Sequence, residues 1–307
     1  NCSIKTVGRH VLAASEDGNV YCYSLKSGKF KRKYEGHTGA VTCLIVIECN
    51  NSSNISSDTE GTDGEQTMPD IFFSGSLDKH LCHFNFKTGE LMQKPVDIGS
   101  PIQCMDQNLG NVYIGTKLGE LFRYNIKKSS LIGEPIKIGR EAVLTLKATK
   151  EGPRQVLIVG TRNKPITVRD ASTGLLLRTM NNNWSSTVYS LVLTTSVVYY
   201  GTKTGIIPAV EFSSGDEVSR FQAGSSGIVC MRIYNNLLFA ACYDGNIYVF
   251  SIQDKKQVSC IPGPGKMLLC MDIVKNRIIA ASKDSNKLEA WGFPQEIRNH
   301  LKEAKHR

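Results

Sequence analysis

Residues 228–251 read IVCMRIYNNLLFAACYDGNIYVFS, and the rest of the chain is largely a variation on that stretch. Ile228 to Met231 opens it with apolar β-formers, Leu237 to Ala241 is a second run, Tyr243-Asp-Gly-Asn246 is turn chemistry, and Ile247 to Phe250 resumes the β pattern. The middle of the stretch, an apolar pair followed by a small residue and a Ser, Thr or Cys, recurs. It closes a strand-like run at Ser15, Ser76, Thr116, Thr161, Thr202, Cys242 and Ser282, with successive gaps of 61, 40, 45, 41, 40 and 40 residues. A period near forty marks stacked supersecondary units, none of which can bury its faces alone.

The opening of the stretch keeps the same beat: Val41-Thr-Cys-Leu44, Ile102-Gln-Cys-Met105, Val143-Leu-Thr-Leu146, Val188-Tyr-Ser-Leu191 and Leu268-Leu-Cys-Met271. The offset that places Asp17 on Asp244 also places Ser3-Ile4 on Cys230-Met231, so the chain is expected to start within the first strand of its first unit. Later turns fall at Ser27-Gly28, Thr88-Gly89, Thr173-Gly174 and Ser214-Gly215. Helical periodicity is nearly absent before residue 295. Seven such units predict an all-β fold, a seven-bladed β-propeller of four-stranded antiparallel blades over residues 1–293. The outer strand of the seventh blade is not evident in the sequence. The expectation is that the chain is the C-terminal portion of a longer protein, with the closing strand upstream or improvised from the tail.

In the second unit, Gly36-His37 precedes the inner strand, Ser74-Gly75-Ser76-Leu77-Asp78 follows, and Phe84-Asn85 comes later. These residues resemble the WD-repeat β-propeller family, which usually has Trp-Asp at that last position. The resemblance implies a hydrogen-bonded network of His37, Ser74 and Asp78, with Phe84 packing where the family has an indole donor. Elsewhere the pattern is degenerate. Only Asp17, Asp78, Asp244 and Asp284 keep the turn aspartate, Arg169-Asp170 keeps the Asp after the third strand, and Trp291 keeps the Trp. The basic ring, the degenerate repeats and an acidic insertion in blade two also resemble the C-terminal propellers of large nuclear, RNA-associated zinc-finger proteins. That likeness implies residence in the nucleus, with the cytosol as the alternative.

No apolar run approaches the roughly 18 residues of a membrane helix, and no signal-peptide pattern opens the chain. Ten cysteines are present, and Cys43, Cys104, Cys230 and Cys270 share one inner-strand position in four units, as small buried side chains do. That reading expects reduced thiols and a reducing compartment. His80-Leu-Cys82-His83 resembles a metal cluster, but strand alternation turns His83 away from His80 and Cys82, so no metal site is expected. No nucleophile elbow is present, and no phosphate loop opens a helix. Pro262-Gly-Pro-Gly265 falls between units and reads as a loop. The expectation is a chain without catalytic residues, cofactor or small-molecule substrate.

Residues 49–69 explain the long first gap and read as a disordered acidic insertion in blade two. Glu48, Asp58, Glu60, Asp63, Glu65 and Asp70 take six negative charges out of a net +9 and leave the ring near +15. Ser57 and Thr62, each followed three residues on by Glu, are candidate phosphorylation sites. Asn51, Asn54 and Asn183 head glycosylation-like triplets with no meaning in a reducing compartment.

One position, the residue after the small-Ser/Thr phrase, holds Glu16, Leu77, Lys117, Arg162, Lys203, Tyr243 and Lys283. The family resemblance puts this turn on the face most used for ligands. Lys117, Arg162 and Lys203 then form an arc across blades three to five, joined by Lys164 and by Arg140 in the connection before blade four, with Lys283 on blade seven. Such an arc suits an acidic peptide, a phosphorylated motif or a nucleic-acid backbone. Tyr189, Tyr199, Tyr200 and Tyr243 offer a little support for RNA, through stacking, but most alternate along strands and blade packing explains them more cheaply. Lys26, Lys29, Lys31, Arg32 and Lys33 lie on the outer edge of blade one, where lysine discourages strand pairing. Residues 294–307 read as a basic tail or short helix with Ile297, Leu301 and Ala304 on one side. The functional expectation is a protein-interaction scaffold. Direct RNA binding is the alternative, and an enzyme with carboxylates or histidines at a channel mouth is a more distant one.

Overall fold

The structure, a computed structural model, describes residues 3–47, 71–180, 186–285 and 287–305. The insertion at 49–69, with Ser57 and Thr62, and the triplets at Asn51, Asn54 and Asn183 lie outside the described residues. The chain forms seven antiparallel sheets in sequence order: blade 1 (4–35), blade 2 (41–97), blade 3 (102–137), blade 4 (143–180), blade 5 (188–222), blade 6 (228–262) and blade 7 (268–292). Six have four strand positions, with the outer one of blade 3 split between Ser130–Leu131 and Ile136–Lys137. Blade 7 has three strands among the described residues.

The repeated small residue has a direct cause. A β-carbon on Gly75 would lie 2.5 Å from Ile102 Cγ2, and one on Gly115 would lie 2.6 Å from Val143 Cγ1. On Gly201 it would meet Ile228 Cγ2 at 3.0 Å. At Gly75 and Gly115 the nearest obstacle belongs to the first strand of the next blade, whereas at Gly201 Ser190 Oγ of the same blade is nearer still, at 2.3 Å, and at Gly160 the obstacle is Thr145 Cγ2 of its own blade, at 2.6 Å. The second strand of one blade must therefore carry a small residue where its neighbour's opening Ile or Val presses in. The Ser or Thr that follows ties down the turn: Ser76 Oγ donates toward the Gly39 and Ala40 carbonyls and accepts from Asp78 N. Thr202 Oγ1 donates to the Ile206 carbonyl at 2.6 Å.

The opening phrase is explained as well. In blades 2 to 7 the pairing of first and second strands skips one residue at the same place: Thr42, Gln103, Leu144, Tyr189, Val229 and Leu269. A bulge kinks the strand and re-aims the extra side chain. All six of these residues line a central channel of about 230 Å³, together with Cys43, Cys104, Cys230 and Cys270. Burial pushes the Cys43 thiol up to about 12 and the Cys104 thiol well above its ordinary value. The eight described cysteines are free thiols.

Blades 7 and 1 meet through Asp272. Its Oδ2 accepts from Thr6 N at 2.7 Å and Thr6 Oγ1 at 2.9 Å, while Oδ1 accepts from Arg232 Nε of blade 6 at 2.9 Å. Arg277 Nη1 adds a bond to the Leu25 carbonyl, and Ile4, Val11, Cys270 and Ile279 form the apolar part of the seam. The tail forms the helix Gln295–Lys305, which buries Ile297 and packs Leu301 beside the outer strand of blade 6, Lys256–Pro262. The tail therefore does not supply the missing strand, and Ala304 is exposed, not on the packed side as the sequence suggested. Among the described residues no helix is long and apolar enough to cross a membrane.

Gly115→Ala is expected to lower stability by about 1–3 kcal/mol through overpacking. Val143→Ala in the same chain removes the nearest of the atoms struck and leaves Cys104 Sγ and Val143 Cβ, so thermal unfolding should give the double variant a somewhat smaller loss than the sum of the single losses. Strict additivity would refute the packing account of the repeat.

Candidate functional site

In blades 3, 5, 6 and 7 the turn between second and third strands is held by an extension of the ladder below it, so its first side chain projects from the same place in each of these blades. Lys117 N donates to the Pro101 carbonyl, Lys203 N to Thr187, Tyr243 N to Gly227 and Lys283 N to Met267. Lys117, Arg140, Arg162, Lys164, Lys203 and Lys283 are all exposed. Among the described residues, none of them has a carboxylate within 4.0 Å.

The turn of blade 3 packs on the connection that leads to blade 4: Ile138 N donates to the Gly119 carbonyl, and a β-carbon on Gly119 would strike the carbonyl oxygens of Gly139 and Glu141. Lys164 Nζ reaches the same connection, 4.0 Å from where a β-carbon on Gly139 would stand, beside Arg140. The turn of blade 4 is then clamped to blade 5. Asn163, at a φ of 52°, donates through its N–H to Thr187 Oγ1, and the buried Thr187 hydroxyl donates to Asn163 Oδ1 at 2.5 Å. Thr187 also accepts from Lys203 N. Lys117, Arg140, Lys164, Arg162 and Lys203 thus sit on one run of interlocked loops, with Glu141 the carboxylate within it. Lys283, on blade 7, is separated from that run by the Tyr243 turn of blade 6. Asn163 and Thr187 escaped the sequence reading, since nothing local marks a Thr 24 residues away as the partner of an Asn.

Tyr189 and Tyr243, half-buried, meet edge to face at 6.2 Å at the channel mouth. Tyr199 and Tyr200, by contrast, are 4% and 1% exposed, so they belong to the core and offer no stacking surface. Among the described residues, none that lines the channel is a carboxylate or histidine. Its charged lining residues are Lys5, whose pKa burial and the nearby Arg232 lower, and Arg232, paired with Asp272. Burial alone would raise the Asp272 carboxyl, but Arg232, Lys5 and the Thr6 amide hold it below the usual range.

In blade 2 the His37, Ser74 and Asp78 side chains come together. His37 Nδ1 lies 3.0 Å from Asp78 Oδ2 and Nε2 lies 2.8 Å from Ser74 Oγ, so the neutral ring donates to the carboxylate and accepts the hydroxyl proton. Thr38 N and His80 N also donate to Asp78. Phe84, fully buried, stacks on Phe72 at 5.1 Å and meets Tyr34 edge-on at 5.6 Å. Blades 1 and 6 satisfy the turn aspartate differently, by donation from Tyr21 to Asp17 and from Tyr248 to Asp244. The tyrosine four residues after the Asp is a sequence signal that was there to be read. His83 stacks on Phe73 at 4.3 Å on the other side of the sheet, and no group of three or more metal-ligating side chains occurs among the described residues.

No protein-family model matches the chain. Among solved structures, it is similar to the β-propeller domain of Myceliophteria thermophila Cps50 (Swd1), with 14% identity and a TM-score of 0.76 over 95% of this chain and 96% of that one. It is also similar to the computationally designed Ika8 protein, with 18% identity and a TM-score of 0.71 over 95% of each chain. At these identities the likeness shows the propeller fold and nothing finer.

Burial, only partly offset by Asp78, lowers the His37 pKa; for Asp78 burial acts upward, but the His80 and Thr38 amides and His37 outweigh it. Both groups bind protons more tightly unfolded than folded, so their contribution is fully present above an unfolded histidine pKa of about 6.5. It is lost as the pH falls through their lower folded-state values. The melting temperature should therefore drop between pH 7.5 and 5, with a shallower slope in His37→Gln. Equal slopes would show that His37 does not carry this linkage. Ser74→Ala, which leaves buried Nε2 without its donor, is expected to cost about 1–3 kcal/mol in denaturant unfolding at pH 7.5.

Proposed function

We propose that the ring is a protein-interaction scaffold, and that the run of cationic turns on blades 3 to 5 receives an acidic or phosphorylated segment of a protein partner. The observation that supports this most is the clamp between blades 4 and 5. Asn163 and Thr187 fix the Arg162 and Lys203 turns against each other, with Lys164, Arg140 and Lys117 continuing along the same rim. Cations held on braced turns, without carboxylate partners among the described residues, keep their field available to a ligand anion. The half-buried Tyr189 and Tyr243 border the same face at the channel mouth.

The finer assignment rests on resemblance. The basic ring with a degenerate repeat and an acidic insertion in blade two looks like the C-terminal propeller of zinc-finger protein 106. On that likeness the proposed setting is a nuclear, RNA-associated protein, with Ser57 and Thr62 as phosphorylation sites in the insertion. The RNA alternative loses Tyr199 and Tyr200 as stacking groups, which is why a protein partner is preferred.

The test is a pulldown from nuclear extract with the wild-type ring and a Lys117→Glu, Arg162→Glu, Lys203→Glu variant, with and without RNase, after thermal melting has shown both to be folded. Capture of a protein lost in the variant and indifferent to RNase is the expected result. Capture abolished by RNase would replace the reading with RNA binding, and equal capture by both chains would move the contact elsewhere on the ring.

A further inference from the structure

One position on the inner strands, three residues beyond the bulge, holds Lys5, Ile45, Asp106, Lys147, Val192, Arg232 and Asp272 around the seven blades. Lys5 belongs to this set because it faces Leu12 in its ladder as Arg232 faces Phe239 in the corresponding one. Three cations meet two carboxylates there, and both carboxylates are already engaged. Asp106 accepts from Lys147 Nζ at 3.0 Å and from the Ala148 amide. Asp272 accepts from Arg232 on one oxygen and from the Thr6 amide and hydroxyl on the other. Lys5 is left over: among the described residues its ammonium has no carboxylate within 4.0 Å and no hydrogen-bond partner.

Lys5 and Arg232 both line the central channel of about 230 Å³. Burial and the Arg232 charge lower the Lys5 pKa, against the upward pull of Asp272 and Asp106. Arg232 keeps donor capacity, since Nε is on Asp272 and Nη1 on the Met231 carbonyl and the Cys230 sulfur, while Nη2 has no partner among the described residues. Neutral donors stand nearer the mouth. The Gln103 side chain, 7% exposed, lines the same channel, and its amide has no hydrogen-bond partner among the described residues. Ser190 Oγ is likewise buried without one. A sequestered ammonium and a sequestered amide without partners are costly unless something supplies acceptors. The volume sets the size of that something. It equals about seven or eight water volumes of ~30 Å³ and falls below the roughly 300–1,000 Å³ of pockets for drug-sized ligands.

We infer that the channel is a binding site for one small free oxyanion of the phosphate class, held by Lys5 and the open edge of the Arg232 guanidinium. Gln103 and Ser190 donate to it from the mouth side, directly or through water. A tetrahedral oxyanion offers acceptors in several directions, which suits cations at one level of the channel and neutral donors at another, and a guanidinium fork pairs with two of its oxygens at once. The site is separate from the cationic turns, which lie on the rim, so the two readings can fail independently.

Equilibrium dialysis with radiolabelled inorganic phosphate, at an ionic strength held constant with sodium chloride, should give saturable binding of one phosphate per 307-residue chain. Lys5→Met keeps the apolar stem and removes the charge, so it should weaken binding at least tenfold, and Gln103→Met should weaken it as well. Melting separates loss of ligand from loss of fold. Without phosphate, Lys5→Met should melt no lower than the wild type, because it removes an unpaired ammonium; with phosphate, the wild type should gain and the variant should not. Absence of saturable binding at millimolar phosphate would overturn the inference. So would equal melting gains in the two chains, or an equal gain from chloride, since either would reduce the effect to screening of the net +9 charge. A Lys5→Met chain that melts well below the wild type without phosphate would make Lys5 a structural partner of Asp272 instead. Binding that survives in Lys5→Met but is lost in the Lys117→Glu, Arg162→Glu, Lys203→Glu variant would put the anion on the rim. Displacement by O-phosphoserine as effective as displacement by phosphate would overturn the choice of a free anion in favour of a phosphorylated side chain.

Discussion

The ring depends on a steric constraint between neighbouring blades. The first strand of each blade leans on the second strand of the blade before it, so closely that Gly75 and Gly115 have no room for a methyl group. Where the position is Ala, it is fully buried at Ala241 but only partly buried at Ala281 of blade 7. Side chains interlock around this contact: Tyr34 and Phe84 between blades 1 and 2, Phe73 and Tyr124 between 2 and 3, Phe221 and Phe250 between 5 and 6. Interiors packed at crystal-like density transmit small volume changes, so the small residue cannot drift even where the rest of the repeat has. That is why the period survives in all seven units while the hydrogen-bonded network survives in one.

The same distinction decides what could be read without coordinates. Period and composition were enough for the blades, because each strand carries its own apolar pattern and each turn its own Gly or Asp. The turn position shared by Lys117, Arg162 and Lys203 was legible because it is a fixed offset from the small residue. The clamp between Asn163 and Thr187 was not, since it joins blades through an αL turn whose partner is set by ring geometry. The bulges at Thr42, Gln103, Leu144, Tyr189, Val229 and Leu269 were hidden for a related reason. A bulge is a property of two paired strands, and the sequence of one strand shows only an interruption in alternation. Tyr199 and Tyr200 follow the blade-packing reading, and both are hidden because their strand is buried between blades on both faces.

Loss of the network has consequences for the surface. Where a blade keeps it, as blade 2 does, the turn aspartate is consumed by His37, Thr38 and His80, and the turn is rigid but chemically quiet. Blades 3 to 5 have no turn aspartate. Their turns are braced instead by backbone ladders and, at blade 4, by an amide–hydroxyl clamp, none of which involves the leading side chain. The cations that lead those turns are therefore held in position by their backbone while their charge stays unpaired among the described residues. An aspartate restored at Thr204 would place a carboxylate one residue from Lys203 and neutralise part of the field the arc projects.

The seam between blades 7 and 1 is closed by other means. Asp272 takes hydrogen bonds from blades 6 and 1 at once, and in a low-dielectric interior a carboxylate with that many donors is held firmly. A buried carboxylate without partners would be expensive, so Arg232 and Thr6 are required by Asp272 as much as Asp272 is by them. This polar junction lies at the inner end of the blades, whereas the fourth strand elsewhere acts at the outer end. The inner seam is therefore complete whatever pairs with the outer edge of blade 7.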